Sequence, residues 1–495
     1  MRITEEQQSE EQTQFALRSL AGLGGVLAVG VLFTLVLALV AGRWPVLRTI
    51  DVTIVDALNS AVVGRAWVVS VLHFLTDLGG SQAAWLIFSV LVAWLLVRRS
   101  PRLATYVAVT GLGAAVLSDG IKALVGRVRP VVEVAVATAP GNSFPSGHAL
   151  GSTIAYGVLL LVFLPAVPPR FRRAGILGVA AIIAIVGMTR VALGVHYPSD
   201  VVAGWLLGIL WLAVTGSAFR RWRQHEGLGP ARVSAGLAPE DRPALVPAPA
   251  HDRPMPQGWL SVSELLVAVV LLWGGVFGAG VLITEVLGPV SPFDAAVVRW
   301  FATIHTDELT TAAAIASQLA GTLGVVLVLV VTVPLSLALT RRWRPPLFLL
   351  VAVMGETAVF LAVATVVERS RPAVEPRTLG LPPTSSFPSG HVAAAVVTYG
   401  AIALLAHAWT RGWLRNLFTA WAVIAPVAVA LSRLYRGGHY PTDVIVSIVY
   451  GGIWLAVCWH VLRPGRGAPH GEESPDAVAD DAVPSGLNSR EAETA

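Results

Sequence analysis

The chain has 495 residues, of which 55% are hydrophobic and only 13% are charged, with a net charge of +5. An ordinary soluble domain has about 25% charged residues, so this composition, with a mean hydropathy of +0.69, excludes a soluble globular protein and indicates a membrane protein. It also argues against a nucleic-acid-binding protein, because the arginines lie in short clusters beside apolar runs.

Apolar runs of about 20 residues, the length that crosses a hydrocarbon core, recur along the whole chain. They lie at residues 22–42, 80–97, 103–125, 147–165, 174–193 and 200–219, and then at 262–284, 321–340, 346–367, 390–408, 415–433 and 443–462. These runs predict an all-α polytopic membrane protein of two tandem six-helix transmembrane bundles. The first run is longer than a signal-peptide core, so we expect it to remain as an uncleaved helix. The single cysteine, Cys458, excludes a disulfide within the chain.

Two segments lack a helical pattern and divide the chain into domains. Residues 220–259 are rich in proline, alanine and charge, and are interpreted as a flexible linker. Residues 464–495 are interpreted as a disordered acidic tail. The membrane domains are therefore predicted at residues 1–219 and 260–463.

The two domains are repeats, and each carries the stretch FPSGH. His391 lies 243 residues after His148, and His439 lies 243 residues after His196. A repeat of this kind fits two reaction modules, and it also fits a transporter built from parallel six-helix repeats. The polar residues at the helix ends distinguish an enzyme from a transporter.

Arginine clusters follow every second apolar run and indicate the topology. They contain Arg98, Arg99, Arg102, Arg170, Arg172, Arg173, Arg220, Arg221 and Arg223 in the first domain, and Arg341, Arg342, Arg344, Arg411, Arg415, Arg463 and Arg466 in the second. The positive-inside rule makes these connections cytoplasmic, although Arg43, Arg48 and Arg65 lie in a predicted outer loop. The opposite helix ends are therefore expected outside the cytoplasm. The alanine-rich, lysine-poor composition of the chain indicates a bacterial protein, so we expect it in a bacterial cell membrane.

Three polar stretches occupy those outer helix ends in the first domain. In KALVGRVRP, Lys122 and Arg129 are seven residues apart and share a helical face if the helix continues that far. Lys122 is the only lysine of the chain. In FPSGH, Ser146 can cap the following helix, whose free amides and Gly147 form a seat for an anion that His148 faces.

The third stretch, TRVALGVHYPSD, supplies a further cation and an oriented imidazole. Arg190 ends one helix, and His196 and Asp200 lie four residues apart across the start of the next. The carboxylate can then hold one imidazole nitrogen and fix the tautomer. A single interfacial histidine or arginine is usually structural, but two histidines, three cations and an aspartate at four helix ends indicate a site for an anion.

These residues resemble the three-part signature of the type 2 phosphatidic acid phosphatase superfamily. The signature reads Lys, six residues, Arg-Pro; then Pro-Ser-Gly-His; then Ser-Arg, five residues, His, three residues, Asp. The matching residues are Lys122, Arg129 and Pro130, then Pro145 to His148, then Arg190, His196 and Asp200, with Thr189 in place of the usual serine.

The resemblance implies metal-independent hydrolysis of a lipid phosphate ester or diphosphate through a phosphohistidine, without a cofactor. It implies that His196 attacks phosphorus, that Asp200 orients His196, and that His148 protonates the leaving oxygen. The implied phosphate ligands are Lys122, Arg129, Ser146, Gly147 and Arg190. Cations and helix-end amides suit phosphoryl transfer, which depends mainly on positioning and charge neutralisation.

The second domain resembles the same family but lacks one part. Its matching residues are Pro388, Ser389, Gly390 and His391, then Ser432, Arg433, His439 and Asp443. Arg371 and Pro372 are present, but Ala364 stands where the family has lysine, and Glu368 replaces Gly126. We expect Arg369 to pair with Glu368 or to replace part of the missing ammonium.

The second site is therefore predicted to be weakened or differently tuned. Its catalytic residues would be His391, His439 and Asp443, and its phosphate ligands Arg371, Ser389, Gly390 and Arg433. A non-catalytic lipid-binding or scaffolding domain is the alternative.

The expected function is a lipid phosphate phosphatase acting on a polyprenyl diphosphate or a phosphatidate-type lipid. A lipid phosphotransferase and a lipid-phosphate transporter or flippase remain as alternatives. The expected partners are the lipid substrate and the bilayer, and no nucleic acid.

Overall fold

A computed structural model describes residues 24–229, 235–249, 252–288, 290–373 and 385–465. These residues form helices and turns and contain no strand, which confirms the all-α class. The chain divides into two compact units, Met1–Pro249 (unit 1) and Ala250–Ala495 (unit 2). The predicted acidic tail lies outside the described residues from position 466 onward.

The described residues of unit 1 form eight long α-helices and one short one. They are α1 (Gly24–Ala41), α2 (Pro45–Val62), α3 (Ala66–Asp77), α4 (Ser81–Val97), α5 (Pro101–Val125), α6 (Gly147–Phe163), α7 (Pro169–Ala192), α8 (Pro198–His225) and α9 (Arg242–Leu245). Helix α6 packs against α4, α5, α7 and α8, so the FPSGH stretch enters the centre of the bundle.

Unit 2 has the same order of long helices. They are α10 (Trp259–Val281), α11 (Pro292–Thr303), α12 (Asp307–Gln318), α13 (Thr322–Thr340), α14 (Arg344–Ala364), α15 (Gly390–Trp409), α16 (Trp413–Tyr435) and α17 (Pro441–Leu462). Helix α15 is central here and packs against α13, α14, α16 and α17.

Eleven of the twelve predicted spans coincide with stretches of the described chain that are long and apolar enough to cross a membrane. The remaining one, α6, is an apolar helix of 17 residues. A turn of helix advances 5.4 Å, so this helix is slightly short for a core of about 30 Å. Its central position in unit 1 means that protein rather than lipid surrounds much of it.

Two pairs of helices were missed by the sequence analysis. It treats the residues between the first two apolar runs of each domain as loops, whereas the structure forms α2 and α3 in unit 1 and α11 and α12 in unit 2. Proline at the first position of α2 and α11 and the Thr306 cap of α12 explain where they begin. Helices α3, α11 and α12 have only 12 residues each, and α2 carries three charged residues, so a search for apolar runs of about 20 residues passes over them.

Glycines bring the two helices that carry the site motifs of unit 1 into close contact. A methyl group built on Gly204 of α8 would lie 2.8 Å from the carbonyl oxygen of Ser146, and one on Gly208 would lie 2.7 Å from Thr153. Small residues four apart allow this approach between membrane helices. The start of α6 is thereby held beside the start of α8.

The segment predicted as a flexible linker is ordered over much of its length. Helix α8 continues to His225, and residues 235–249 pack on unit 1 with Leu237 and Leu245 buried. Arg98 donates hydrogen bonds to the carbonyls of Ala244 (2.7 Å) and Val246 (3.0 Å) at the end of α9. The sequence does not reveal α9, because a single helical turn is too short to show a hydrophobic period. The carbonyls at its end accept hydrogen bonds from Arg98, which is 146 to 148 residues away in the sequence.

Candidate active site

The start of α6 forms an anion seat beside the only lysine. Ser146 is the N-cap, and its hydroxyl accepts a long hydrogen bond from the Ala149 amide at 3.5 Å. A methyl group on Gly147 would lie 3.1 Å from Nζ of Lys122, which comes from the last turn of α5. Gly147 therefore lets the ammonium approach the positive end of the helix closely, where an anion is favoured by both charges.

The imidazole of His196 lies between Asp200 and Arg129. Its Nδ1 is 3.5 Å from Oδ2 of Asp200 and forms no hydrogen bond within the described chain, and its Nε2 lies 3.0 Å from Nη1 of Arg129. A guanidinium can only donate, so Nε2 carries the lone pair and the proton is on Nδ1, facing the carboxylate. This tautomer leaves Nε2 as the nucleophilic nitrogen.

The carboxylate of Asp200 is anchored by a network that the sequence did not reveal. Arg127 donates to Asp200 at 2.6 Å and to Asp51 of α2 at 2.7 Å, and the Tyr197 amide donates to Asp200 at 2.9 Å. The Arg127 guanidinium also lies over the Tyr197 ring, 4.2 Å from its centroid. Asp51 further accepts from the Ser199 amide. Asp51 could not be found from motif spacing, because it lies in a helix that the sequence analysis treats as a loop.

Arg190 is buried with part of its guanidinium unused. It is 7% exposed, and Nη1 donates to the Thr76 hydroxyl of α3 at 3.0 Å. Its Nε has no hydrogen-bond partner within the described chain. A buried cation with a spare donor is costly unless an anion completes it.

A cavity of about 460 Å³ joins these groups. Six of the eight predicted first-domain site residues line it, namely Lys122, Arg129, Gly147, His148, Arg190 and His196. Ser146 and Asp200 lie directly behind them, and the Ser146 amide donates to the Asp200 carbonyl at 2.9 Å. The rest of the wall is largely apolar and includes Ala84, Trp85, Phe88, Ala114, Ala115 and Leu150.

Burial favours the neutral form of the His196 imidazole. It lowers the pKa of His196 below the ordinary value of about 6.5, and Arg129 and Arg190 lower it further, while Asp200 opposes the shift. Burial likewise lowers the pKa of Arg129. An imidazole with a lowered pKa is available as a nucleophile at neutral pH without losing a proton first.

This shift predicts the acid side of the pH profile. We expect kcat/KM of the wild type to fall only as the pH drops through a value below about 6.5. In Asp200→Asn the group that raises the His196 pKa is gone, so the fall should move to still lower pH while the plateau decreases. Substrate ionisation is the same for both enzymes and cancels in the comparison. A fall centred at or above pH 6.5, or a shift upward in Asp200→Asn, would contradict the assignment.

Unit 2 repeats the carboxylate network. Arg369 donates to Asp443, and to Asp294 of α11 at 2.9 Å, and the Tyr440 amide donates to Asp443 at 2.8 Å. The prediction for Arg369 was therefore wrong, because it neither pairs with Glu368 nor faces an anion seat. Glu368 is exposed and forms no ion pair within the part of the chain that the structure describes. The acid does not stand in the site.

The other predicted residues of unit 2 lie around the start of α15, with one change at the nucleophile. Arg371 donates to the Gly438 carbonyl at 2.6 Å, and Arg433 donates to the Ser317 hydroxyl of α12 at 3.2 Å. Nδ1 of His439 donates to the Ser386 carbonyl and lies 3.8 Å from the Asp443 carboxylate. Ser389 caps α15 by position, and its amide donates to the Ser447 hydroxyl at 2.8 Å.

Comparison with known proteins matches the PAP2 superfamily to residues 102–224 and 319–466, one segment in each unit. A decaprenylphosphoryl-5-phosphoribose phosphatase of Mycobacterium tuberculosis is 34% identical over 164 residues, 32% of this chain and 84% of the relative. An undecaprenyl-diphosphatase of Sulfolobus acidocaldarius is 31% identical over 26% of this chain and 60% of its own. A crystal structure of a PAP2-type phosphatidylglycerolphosphate phosphatase from Bacillus subtilis is 24% identical, with a TM-score of 0.36 over 42% of this chain and 98% of that one.

Proposed function

The chain belongs to the PAP2 superfamily, and on that premise we propose that it removes phosphate from a membrane lipid phosphate or diphosphate through a phosphohistidine on His196. The observation that carries this proposal is the cavity of unit 1, where three cations and two imidazoles adjoin an apolar wall. A ligand that contacts both the cations and the apolar wall has a phosphate joined to a hydrocarbon chain. Such a ligand can stay in the bilayer while its head group reacts.

The first step of the proposed reaction forms a bond between Nε2 of His196 and phosphorus. Lys122, Arg129 and Arg190 neutralise the phosphoryl oxygens, as phosphoryl transfer requires. The bond between phosphorus and the lipid oxygen breaks. His148 enters this step as the imidazolium, which the bound phosphate dianion favours, and gives that oxygen its proton. Asp200 then stabilises the positive charge that forms on the His196 ring.

In the second step water attacks the phosphohistidine. His148, now neutral, takes a proton from the water as its oxygen bonds to phosphorus, and the bond to Nε2 of His196 breaks. Inorganic phosphate leaves, and both histidines return to their initial protonation states. General acid and base help of this kind is typically worth about 10²- to 10⁴-fold.

The substrate and the side of the membrane form part of the proposal. A polyprenyl diphosphate or a phosphatidate-type lipid fits the cavity, and the relatives named above carry polyprenyl substrates in their names. Arginine clusters at the opposite helix ends support a site outside the cytoplasm of a bacterial cell membrane.

The activity test is release of phosphate by the purified chain in detergent, with EDTA present. We expect release from an undecaprenyl diphosphate or a phosphatidate, and ³²P at His196 in protein quenched with alkaline detergent, because a phosphohistidine is hydrolysed in acid. Label that moves to a second lipid instead of to water would establish a phosphotransferase. Lipid movement in liposomes that survives His196→Ala, without any phosphate release, would establish a transporter.

The apolar wall predicts a selective effect on long-chain substrates. Ala115 lines the cavity, whereas its neighbour Val116 is 73% exposed on the outside of the bundle. Ala115→Trp should fill the space beside the cations and raise KM for a long-chain lipid phosphate by about tenfold or more, a change of about 1.4 kcal/mol. A water-soluble phosphate ester should be affected less. Val116→Trp is the matched control, and an equal effect of both variants would place the lipid chain elsewhere.

A further inference from the structure

An arginine of unit 1 is shared between two buried aspartates. Nη1 of Arg127 donates to Asp200 at 2.6 Å, and Nη2 donates to Asp51 at 2.7 Å. The side chains of Asp51 and Asp200 are 1% and 0% exposed. Two carboxylates and one guanidinium give this group one net negative charge, whereas Arg127 with Asp200 alone would be neutral. Asp51 therefore decides whether the group carries a charge.

The contacts of Asp51 are those of an ionised carboxylate. Its Oδ1 accepts from the Ser199 amide at 3.0 Å, and its Oδ2 accepts from the Ser199 hydroxyl at 2.5 Å. That hydroxyl accepts from Nη1 of Arg127 at 2.7 Å, so its own hydrogen is free to point at Asp51. An ionised carboxylate only accepts hydrogen bonds, and both oxygens of Asp51 face donors. The negative charge of Asp51 thus lies beside Arg127 and not in water.

The charge of this group acts on the His196 ring through space. Oδ2 of Asp200 lies 3.5 Å from Nδ1 of His196, and that nitrogen has no hydrogen bond within the described residues. When Nε2 bonds to phosphorus the ring becomes positive. Buried charges interact over several ångströms because little water screens them. The net charge around Asp200 therefore sets how well the positive ring is stabilised.

The other charges near the ring do not replace this group. The cavity that His196 lines is also lined by one exposed acid, Asp119, and by the basic side chains of Lys122, Arg129, His148 and Arg190. Asp77 at the end of α3 and Arg48 and Asp56 of α2 are exposed as well, and water screens exposed charges. Among the described residues of unit 1, Asp51 and Asp200 are the buried acids.

Unit 2 builds the same group. Asp294 lies 243 residues after Asp51. It accepts from Arg369 at 2.9 Å, and from the amide and the hydroxyl of Thr442 at 3.1 and 2.9 Å. Both domains thus have this aspartate, although it lies outside the three-part signature and although unit 2 lacks the lysine. Its presence in both copies links it to the histidine and aspartate that both copies also contain.

We propose that Asp51 is a positioning residue that acts through Arg127: it leaves the Asp200 carboxylate with a net negative charge for the ring of His196. Without Asp51, Arg127 would neutralise Asp200, and the positive form of the ring would be less stable. The expected effect on the rate rests on the proposed function. The expected effect on the ionisation of His196 does not.

Asp51→Asn tests the charge with little change of shape. The amide oxygen can still accept from the Ser199 amide, but the net charge of the group becomes zero. We expect the pKa of His196 to fall by about one pH unit and kcat for phosphate release to fall by about tenfold, since one pH unit is a tenfold change in an equilibrium constant. The acid limb of kcat/KM should move to lower pH by the same amount. Asp56→Asn removes an exposed carboxylate from the same helix and should change none of these.

The two measurements are the pH profile of phosphate release and the ¹⁵N resonances of the His196 ring during a pH titration, identified by their loss in His196→Ala. The second does not depend on turnover. An unchanged pKa of His196 in Asp51→Asn, or an equal fall in Asp56→Asn, would overturn the proposal. If the wild type releases no phosphate while the pKa still falls in Asp51→Asn, the proposed function fails and the inference on Asp51 stands.

The double variant Asp51→Asn/Arg127→Met separates charge from structure. It removes one negative and one positive charge, so that Asp200 alone restores one net negative charge. We expect the pKa of His196 to return to within about half a pH unit of the wild type, although the hydrogen bonds of the network are lost. A structural role alone predicts that the double variant departs further from the wild type than Asp51→Asn does, and that result would refute the proposal. The double variant also decides the question if Asp51→Asn alone does not fold.

Discussion

His196→Ala should lower phosphate release by about 10³-fold or more, while His439→Ala leaves most of it. Loss of a covalent nucleophile removes the step that divides the reaction in two, and effects of this size are typical. The two histidines occupy equivalent positions, but only His196 faces its carboxylate without a competing backbone acceptor. The measurement is the initial rate of phosphate release with EDTA at saturating substrate.

The two variants serve as controls for each other, since each removes one buried imidazole next to an identical carboxylate network. Equal stability of both proteins in detergent would show that the rate difference arises from chemistry. An active His196→Ala would refute the assignment to unit 1. Loss in His439→Ala alone would move the reaction to the unit without the lysine.

Arg127→Met should lower the free energy of unfolding of unit 1 by about 3–5 kcal/mol. The guanidinium joins two carboxylates, Asp51 and Asp200, whose side chains are 1% and 0% exposed. Removing one partner of a buried pair leaves uncompensated charge, and that costs about this much. Methionine keeps most of the aliphatic part of the side chain, and the contact of the guanidinium with the Tyr197 ring is lost together with the charge.

The matched control is Arg102→Met. Arg102 pairs with Glu226 at the surface, where the side chains are 33% and 43% exposed, and such pairs contribute about 0–1 kcal/mol. Equilibrium unfolding in mixed micelles measures both variants. If Arg127→Met costs no more than the control, the network does not hold Asp200. Activity should also fall in Arg127→Met, because Asp200 loses the contact that fixes its position.

The apolar runs and the motif spacings were enough to predict the helical class, the two repeats and the residues that meet around the cavity. Long runs are visible because each residue contributes to one hydrophobic signal, and motifs are visible because their residues are close in sequence. Asp51 and Thr76 have neither property. They reach Arg127 and Arg190 across long separations in sequence. Asp51 lies in a helix with three charged residues, and Thr76 lies in a helix of only 12 residues, so neither helix is an apolar run of its own.

The register of Arg369 with Arg127 was visible in the sequence, but its role was not. A charge next to a motif is naturally assigned to the ligand, whereas here both arginines face inward and bind aspartates. The loss of Lys122 in unit 2 was read directly from Ala364. The ring of Phe360, one helical turn before Ala364, lies 2.8 Å from a methyl group built on Gly390 and so takes the place of the lysine. This contact depends on packing that no motif records.

The contact between Arg129 and Nε2 of His196 has a consequence for selectivity. In the proposed mechanism this contact engages the nitrogen that attacks phosphorus. An anionic head group would compete for the Arg129 donor and so expose the lone pair, whereas a neutral ester would not. Discrimination between charged and uncharged lipids would then arise during activation as well as from the fit of the head group.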